Sequence, residues 1–110
     1  MPRRRPPRPG AAVTELDPVI HAPARLRIVV ALAELDRGDV LAFPRLREVL
    51  AMTAGNLSTH LRKLEDAGYV VVTKTHERRT PVTYLALSDT GRTALDGYRH
   101  ALSAILGGSR

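Results

Sequence analysis

The chain has 110 residues and no cysteine, so it is long enough for one domain, and disulfides, thiolate zinc sites and cysteine nucleophiles are excluded. Its net charge of +6 favours polyanionic partners. No apolar run reaches the roughly 20 residues that a membrane span needs, and no apolar stretch follows the basic N-terminus as in a secretory signal. These features predict a cytoplasmic protein without a membrane partner.

The positive charge is unevenly distributed along the chain. Residues 1–15 carry a net charge of +3, residues 16–55 are neutral, and residues 56–80 carry +2. The first segment begins MPRRRPPRPG and lacks periodicity, which predicts a disordered Pro/Arg-rich tail over residues 1–15. The alternative is an arm that contacts phosphates or enters a minor groove.

Helical patterns follow the tail. Asp17 and Pro18 suit an N-cap and a first helical residue, and they predict a short helix within LDPVIHA. Pro23 begins a second helix, for which Gly38 is the expected stop. The spacing of a buried stripe in this helix is given by Leu26, Val29, Val30 and Ala33.

A strand and two further helices are predicted next. The apolar segment VLAF predicts an edge strand, and Pro44 begins a short helix whose inward side consists of Leu46, Val49 and Leu50. Thr53 is a good N-cap for a third helix, which is predicted from Ala54 to Ala67. Gly68 ends that helix in the manner of a C′ glycine.

The C-terminal half predicts a hairpin and a last helix. The β-branched runs YVVVTKTH and PVTYLAL are separated by ERRT, and Ser88 caps a helix that reaches about Leu106. This order predicts a mainly α fold with a small β-hairpin: a winged helix-turn-helix with a three-helical core, a wing and an extra terminal helix. We expect the domain over residues 16–88 and a dimerisation helix over residues 89–107.

The third helix has two different sides. Leu57, Leu61 and Leu64 lie within about 40° of one another around its axis and form a narrow apolar seam. Acidic Glu65 and Asp66 lie towards its far end, where we expect them to sit away from a duplex. The remaining surface carries the small, polar and cationic groups that bind base edges and phosphates in a major groove: Gly55, Asn56, Ser58, Thr59, Arg62 and Lys63.

The surroundings of this helix favour DNA contact over the alternative of an ordinary amphipathic surface helix. A helix precedes it at the right distance, small Ala51 lies at the turn, and the hairpin follows at once. Arg78 and Arg79 lie at the hairpin tip and Lys74 on the strand leading to it. A solvated basic turn is the alternative, but in this position the hairpin is expected to grip the backbone or enter the adjacent minor groove.

Three motifs carry a resemblance to a known family. GNLSTHLRKLEDAGYV, RTPVTYLAL and LSDTGRTAL resemble segments of the winged-helix transcriptional regulators related to the multiple-antibiotic-resistance (MarR) and arsenic-repressor (ArsR) groups. The resemblance extends from about Leu16 to Leu106. It implies that residues 54–67 are the recognition helix and that Arg79 is the wing arginine. Arg78 departs from the family, because a glycine is common at its position.

The resemblance also implies an assembly and a mode of action. Members are usually homodimers joined through their terminal helices, and many are repressors that release DNA when an effector binds. A small-molecule effector is therefore an expected but unidentified partner. The cysteine sensor of the metal-responsive members is absent, so thiolate metal sensing is not carried over.

The last helix supports dimerisation independently. An apolar stripe with helical spacing is formed by Leu95, Tyr98, Leu102, Ile105 and Leu106. The alternative is that this helix packs only on its own domain. A symmetric pair would place two recognition helices roughly 34 Å apart and implies a near-palindromic operator in double-stranded DNA.

Other chemistries have little support in the sequence. The histidines are scattered at His21, His60, His76 and His100, which predicts no metal site and no cofactor. No catalytic constellation or phosphate-binding glycine loop is present, so an enzyme is not expected. The main functional alternative is a winged-helix module that binds another protein and not DNA. Abundant arginine, alanine and valine hint at a high-GC bacterial genome.

Overall fold

The computed structural model describes residues 15–107. Within that range four helices and three strands follow one another as α1 (Pro23–Ala33), β1 (Leu41–Ala42), α2 (Phe43–Leu50), α3 (Ala54–Asp66), β2 (Val70–Glu77), β3 (Thr80–Leu87) and α4 (Asp89–Ile105). This order confirms the predicted fold class. The prediction of a disordered tail concerns residues 1–15, and all but the last of these lie outside the described range.

The described chain begins with a single turn at residues 18–20, where the sequence predicted a short helix. Asp17 does cap this turn, because one carboxylate oxygen accepts hydrogen bonds from two backbone N–H groups at 2.8 and 3.4 Å. The turn does not continue because Ala22 precedes a proline and is extended, with φ −146° and ψ 125°. Helix α1 then begins at Pro23, as predicted.

The buried face of α1 differs from the predicted stripe. Ile28, Val29 and Leu32 are the buried residues of this helix. Of the predicted stripe only Val29 is buried, and the other members are half-buried: Leu26, Val30 and Ala33. The buried face is therefore rotated about the helix axis relative to the predicted stripe. The contacting surface is also wider than a narrow stripe, because three helices and strand β3 pack around α1.

Helix α1 also ends earlier than predicted, at Ala33 and not near Gly38. The guanidinium of Arg92, on α4, donates to the backbone carbonyls of Ala33 at 3.4 Å and Leu35 at 3.3 Å. These carbonyls would otherwise lack a helical partner. The carbonyl groups at the end of α1 thus find their hydrogen-bond donor in a distant part of the chain. Gly38 lies in a later turn, where its φ is +89°.

The three strands form one antiparallel sheet in the order β1-β3-β2. Leu41 of β1 lies opposite Leu85, which confirms the predicted edge strand. The strand is shorter than the segment VLAF, because Phe43 is already the first residue of α2. Strands β2 and β3 form the predicted hairpin, with Glu77 opposite Thr80 at its far end. The tip is therefore a two-residue connection between these strands.

The hydrophobic core lies between the helices and one face of the sheet. Its members with no exposed surface include Ile28, Leu32, Leu46, Leu57, Leu64 and Leu85. Val49, which was predicted to point inward, is 52% exposed. Phe43, Leu46 and Leu50 form the inward seam of α2 at positions i, i+3 and i+7, and Val49 lies on the flank of that seam.

Local capping signals are confirmed at three positions. The side chains of Thr53 and Ser88 each accept a hydrogen bond from the backbone N–H three residues later, at 3.1 and 2.9 Å. Gly68 follows α3 with φ +81°, as expected of a C′ glycine, although the helix ends at Asp66, one residue before the predicted end. None of the helices within residues 15–107 has the length and apolar character to cross a bilayer.

Candidate nucleic-acid interface

Helix α3 is anchored by its leucine seam and leaves its opposite side open. Leu57 and Leu64 have no exposed surface and Leu61 has 5%, so the seam predicted from the sequence is fully used in the core. The six predicted contact residues of this helix are all exposed: Gly55, Asn56, Ser58, Thr59, Arg62 and Lys63. The structure therefore keeps the polar and cationic side of α3 free of the chain's own core.

The first turn of α3 is ordered by two local hydrogen bonds. Thr53 Oγ1 accepts from the backbone N–H of Asn56, and Thr59 Oγ1 donates to the carbonyl of Gly55 at 3.0 Å. A Cβ added at Gly55 would meet nothing within 4 Å, so the packing of the described chain does not itself require a glycine there. The open space leaves the helix backbone accessible to a close partner.

The turn between α2 and α3 is held by two arginines that the sequence analysis counted only as charge. Arg27 donates to the carbonyl of Leu50 at 2.8 Å, and Arg47 donates through Nε to the carbonyl of Met52 at 3.0 Å. Between these carbonyls Ala51 has φ +54°, in the left-handed region. The arginines thereby fix the angle at which α3 leaves α2.

A groove of about 780 Å³ separates α3 from the sheet. Ser58 and Arg62 line it from the helix and Lys74 lines it from β2, so the structure brings the predicted helix contacts and the predicted strand contact to one place. Glu65 and Asp66 line the same groove, whereas the sequence analysis expected them to lie apart from the contact surface. The groove is therefore of mixed charge at its helical wall.

The wing tip consists of two exposed arginines in an unusual backbone conformation. Arg78 has φ +53° and Arg79 has φ +69°, so both central residues of the turn are left-handed. Two such residues match the twist of a hairpin, and glycine, asparagine or aspartate is usual there. Among the ion pairs within residues 15–107, none includes either guanidinium.

The carboxylate next to this tip has a partner on the sheet. Glu77 Oε2 accepts a hydrogen bond from the hydroxyl of Tyr84 at 2.5 Å. This hydrogen bond raises the pKa of Tyr84, since ionising the phenol would set two negative charges side by side. In the sequence Glu77 is recognisable only as a charge, and no local signal points to its partner seven residues away.

This geometry agrees with the result of comparison with known families. Residues 24–106 match the model of a family described as a winged helix DNA-binding domain. The chain belongs to this family. The match confirms the predicted winged-helix fold, and it confirms that the protein is a member of a DNA-binding family and not an enzyme.

Individual relatives of this winged-helix protein are also similar along most of their length. An uncharacterized protein of Methanocaldococcus jannaschii is 31% identical over 80 residues, which are 73% of this chain and 84% of that protein. The solved structure of a transcriptional regulator homologue from Pyrococcus horikoshii OT3 is 29% identical, with a TM-score of 0.69 over 84% of this chain and 89% of the other.

Two further solved structures share the architecture. NolR from Sinorhizobium fredii is 26% identical, with a TM-score of 0.55 over 81% of this chain and 78% of its own. An ArsR family transcriptional regulator is 23% identical, with a TM-score of 0.51 over 84% and 86% of the two chains, and shows the same fold. The predicted resemblance to winged-helix transcriptional regulators is thus confirmed.

The terminal helix of the winged-helix protein divides the predicted dimer stripe into two parts. Leu95 is 2% and Tyr98 is 5% exposed, so both pack within their own chain. Leu102 is half-buried, while Ile105 is 52% and Leu106 is 74% exposed. Only the C-terminal part of the stripe therefore offers apolar surface to a second molecule.

A second groove, of about 820 Å³, lies between the residues before α1 and the N-terminal half of α4. Asp17, Tyr69, Thr93 and Tyr98 are among its lining residues. The hydroxyl of Tyr69 donates to Asp17 Oδ2 at 2.5 Å, and burial together with this hydrogen bond raises the pKa of Tyr69 to about 12. The hydroxyl of Tyr98 lies 3.0 Å from His21 Nδ1.

Three of the four histidines have separate structural partners. His21 contacts Tyr98, and His60 Nδ1 lies 3.4 Å from a guanidinium nitrogen of Arg25. His100 Nδ1 lies 2.9 Å from the carbonyl of Asp96. Residues 15–107 contain no group of three or more His, Cys, Asp or Glu side chains placed to hold a metal ion.

Proposed function

We propose that this winged-helix protein is a sequence-specific, double-stranded DNA-binding transcriptional regulator that acts as a homodimeric repressor. The observation that carries the proposal is the division of α3 into a buried leucine seam and an exposed polar and cationic side. A helix of this kind fits the major groove, where each base pair presents its own pattern of donors and acceptors. Membership in a family of DNA-binding domains supports the same conclusion.

The exposed side chains suit different parts of a duplex. Asn56 carries an amide that can pair with adenine, and Arg62 a guanidinium that can pair with guanine. Lys63 and Lys74 are positioned as phosphate contacts, with Ser58 and Thr59 adding hydroxyl groups near the helix N-terminus. We assign base recognition to Asn56 and Arg62, and we assign positioning on the DNA backbone to the lysines and hydroxyl groups.

The hairpin extends this contact beyond the major groove. Strands β2 and β3 carry Arg78 and Arg79 away from the core, and both side chains are exposed. We propose that this wing, residues 74–82, contacts the sugar-phosphate backbone or the adjacent minor groove, where a narrow A·T-rich groove attracts guanidinium groups.

We propose that two copies associate through the exposed end of α4, formed by Leu102, Ile105 and Leu106. A single small DNA-binding module makes few contacts, and two modules on one duplex raise both affinity and specificity. Two-fold symmetry of the dimer then requires a near-palindromic operator with half-sites roughly 34 Å apart.

The repressor assignment and an effector rest on the resemblance to regulators that release DNA on ligand binding. The groove beside α4, at about 820 Å³, has room for a small molecule. It borders Tyr69, three residues after the end of α3, so an occupant could alter the position of the proposed recognition helix.

A binding titration separates DNA binding from the alternative of a protein-binding module. A labelled duplex from the promoter of the protein's own gene is titrated at several salt concentrations, because phosphate contacts make DNA affinity fall steeply with salt. Arg62→Ala and Arg79→Ala are each expected to weaken binding by about 1 to 3 kcal/mol without changing the melting temperature appreciably.

Arg37→Ala is the matched control, since it removes the same charge from an exposed arginine that pairs with Asp89, away from α3 and the wing tip. It should bind nearly as the wild-type protein does. Equal affinity of all four proteins, or binding that is insensitive to salt, would show that α3 and the wing do not contact DNA.

A further inference from the structure

The wing carries one acidic side chain beside its basic tip. Glu77 is the only Asp or Glu between Val70 and Leu87, and it directly precedes Arg78 and Arg79. A carboxylate within reach of a guanidinium group can form a charge-assisted ion pair with it. Such a pair would cancel one positive charge at the point where the wing meets a phosphate backbone.

The structure shows the carboxylate turned the other way. Glu77 lies opposite Thr80, whereas Tyr84 lies opposite Thr73, four residues earlier in β2. Side chains four residues apart in a strand point to the same face, and their positions differ by roughly 13 Å along it. Because Glu77 Oε2 accepts from the Tyr84 hydroxyl at 2.5 Å, the side chain of Glu77 leans back along the sheet, away from the tip.

The chemistry of this contact allows the Tyr84 phenol to hold the Glu77 carboxylate in place. A phenol is a neutral donor at ordinary pH, so it binds the carboxylate through a charge-assisted hydrogen bond and leaves the charges of the arginines unaltered. The ion pairs present within residues 15–107 involve other residues, which agrees with a tip that is not neutralised by Glu77.

We propose that Tyr84 is a positioning residue for DNA binding, which keeps the Glu77 carboxylate off the wing arginines and so preserves the positive charge that the wing presents to DNA. The inference rests on the proposed function. Tyr84 itself makes no contact with DNA in this scheme. Its effect on affinity passes entirely through Glu77.

A double-mutant cycle tests this route. The wild-type protein, Tyr84→Phe, Glu77→Gln and the double variant are titrated by fluorescence anisotropy with the promoter duplex of the protein's own gene. Tyr84→Phe is expected to lower affinity on the order of fivefold and to reduce the salt slope by about one, because the freed carboxylate occupies a guanidinium. Glu77→Gln is expected to raise affinity, and adding Tyr84→Phe to it should cause no further change.

A second pair of variants leaves Tyr84 intact, in case its replacement unfolds the hairpin. Glu77→Asp keeps the charge but is one methylene shorter, so its carboxylate should lose the phenol and weaken DNA binding. Glu77→Gln keeps the length and removes the charge, and should strengthen it. Thermal unfolding of both variants accompanies the titration. A role limited to hairpin stability predicts that Glu77→Asp weakens DNA binding only as far as it lowers the melting temperature, whereas the positioning role predicts weaker binding at an unchanged melting temperature.

Failure of the positioning role can be distinguished from failure of the proposed function. If the wild-type protein does not bind the duplex in a salt-dependent way, the proposed function fails, and this inference with it. If the wild-type protein binds, but Tyr84→Phe has the same effect with and without Glu77, or none at all, only the positioning role is overturned.

Discussion

Arg78 and Arg79 occupy backbone positions that disfavour their residue type. A left-handed conformation costs a residue with a Cβ about 1 to 2 kcal/mol relative to glycine. Both tip residues nevertheless carry the longest cationic side chain available. The needs of the turn therefore do not explain the two arginines, which agrees with the DNA contact that we propose for them.

Replacing Arg78 with glycine should separate stability from binding. Arg78→Gly is expected to raise the free energy of unfolding by about 0.5 to 1 kcal/mol, because glycine adopts φ +53° without strain, while DNA affinity falls. Denaturant unfolding and the promoter titration measure the two effects. Arg99→Gly, inside α4, is the control and should destabilise the fold by about 1 kcal/mol. A less stable Arg78→Gly protein would show that the tip is not strained.

At the scale of elements, the decisive junction joins the end of α3 to the start of α4. The backbone N–H of Ser88 donates to the carbonyl of Tyr69 at 2.9 Å, and the Ser88 hydroxyl donates to the carbonyl of Gly68 at 2.6 Å. Gly91 then packs directly on Tyr69. The segment that follows α3 and the first turn of α4 are thereby held together by direct backbone contacts.

The close approach at Gly91 gives a sharp test of this junction. A Cβ there would overlap the carbonyl oxygen of Tyr69 and come within 2.9 Å of a methyl carbon of Leu87, so Gly91→Ala is expected to destabilise the fold by about 2 to 3 kcal/mol. Gly97→Ala, on the same helix, meets nothing within 4 Å and should stabilise by about 0.5 to 1 kcal/mol. Thermal unfolding distinguishes the two, and similar melting temperatures would contradict the packing described here.

At the scale of the whole molecule, the exposed apolar surface at the end of α4 is the basis of the proposed dimer. Leu95 and Tyr98 are buried in the chain's own core, so the surface for a second copy is reduced to Leu102, Ile105 and Leu106. The apolar stripe continues from the core to the surface. In the proposed dimer, one helix would therefore pack both on its own domain and on the second copy.

Ile105→Glu should therefore dissociate the dimer. A charge in an apolar interface is costly unless it is paired, so we expect this variant to sediment as a monomer and to bind a full operator no better than a half-site. Val71→Glu is a matched control, because Val71 is 50% exposed on the sheet and Ile105 is 52% exposed on α4. An Ile105→Glu protein that stays dimeric would place the interface elsewhere.

The candidate site was predictable to the extent that it depends on local pattern. The leucine seam of α3, its Thr53 cap and the hairpin position were all predicted, because each follows from helical period or a short-range hydrogen bond. The holding contacts of Arg27, Arg47 and Tyr84 were missed. Arg27 reaches its partner only when α1 packs against α2, and Tyr84 reaches its partner only through the register of the two strands. Arg47 contacts a carbonyl five residues away, and that contact depends on the left-handed backbone of the turn.

The amino-acid sequence by itself determined which residues form α3, which side of it faces the core and where the basic wing tip lies, since apolar period and turn chemistry act over a few residues. Only the tertiary structure decided where α1 ends, which part of the α4 stripe stays exposed and which way Glu77 turns. Arg92 meets Ala33 across 59 residues of sequence, and such a contact depends on how distant segments pack in space.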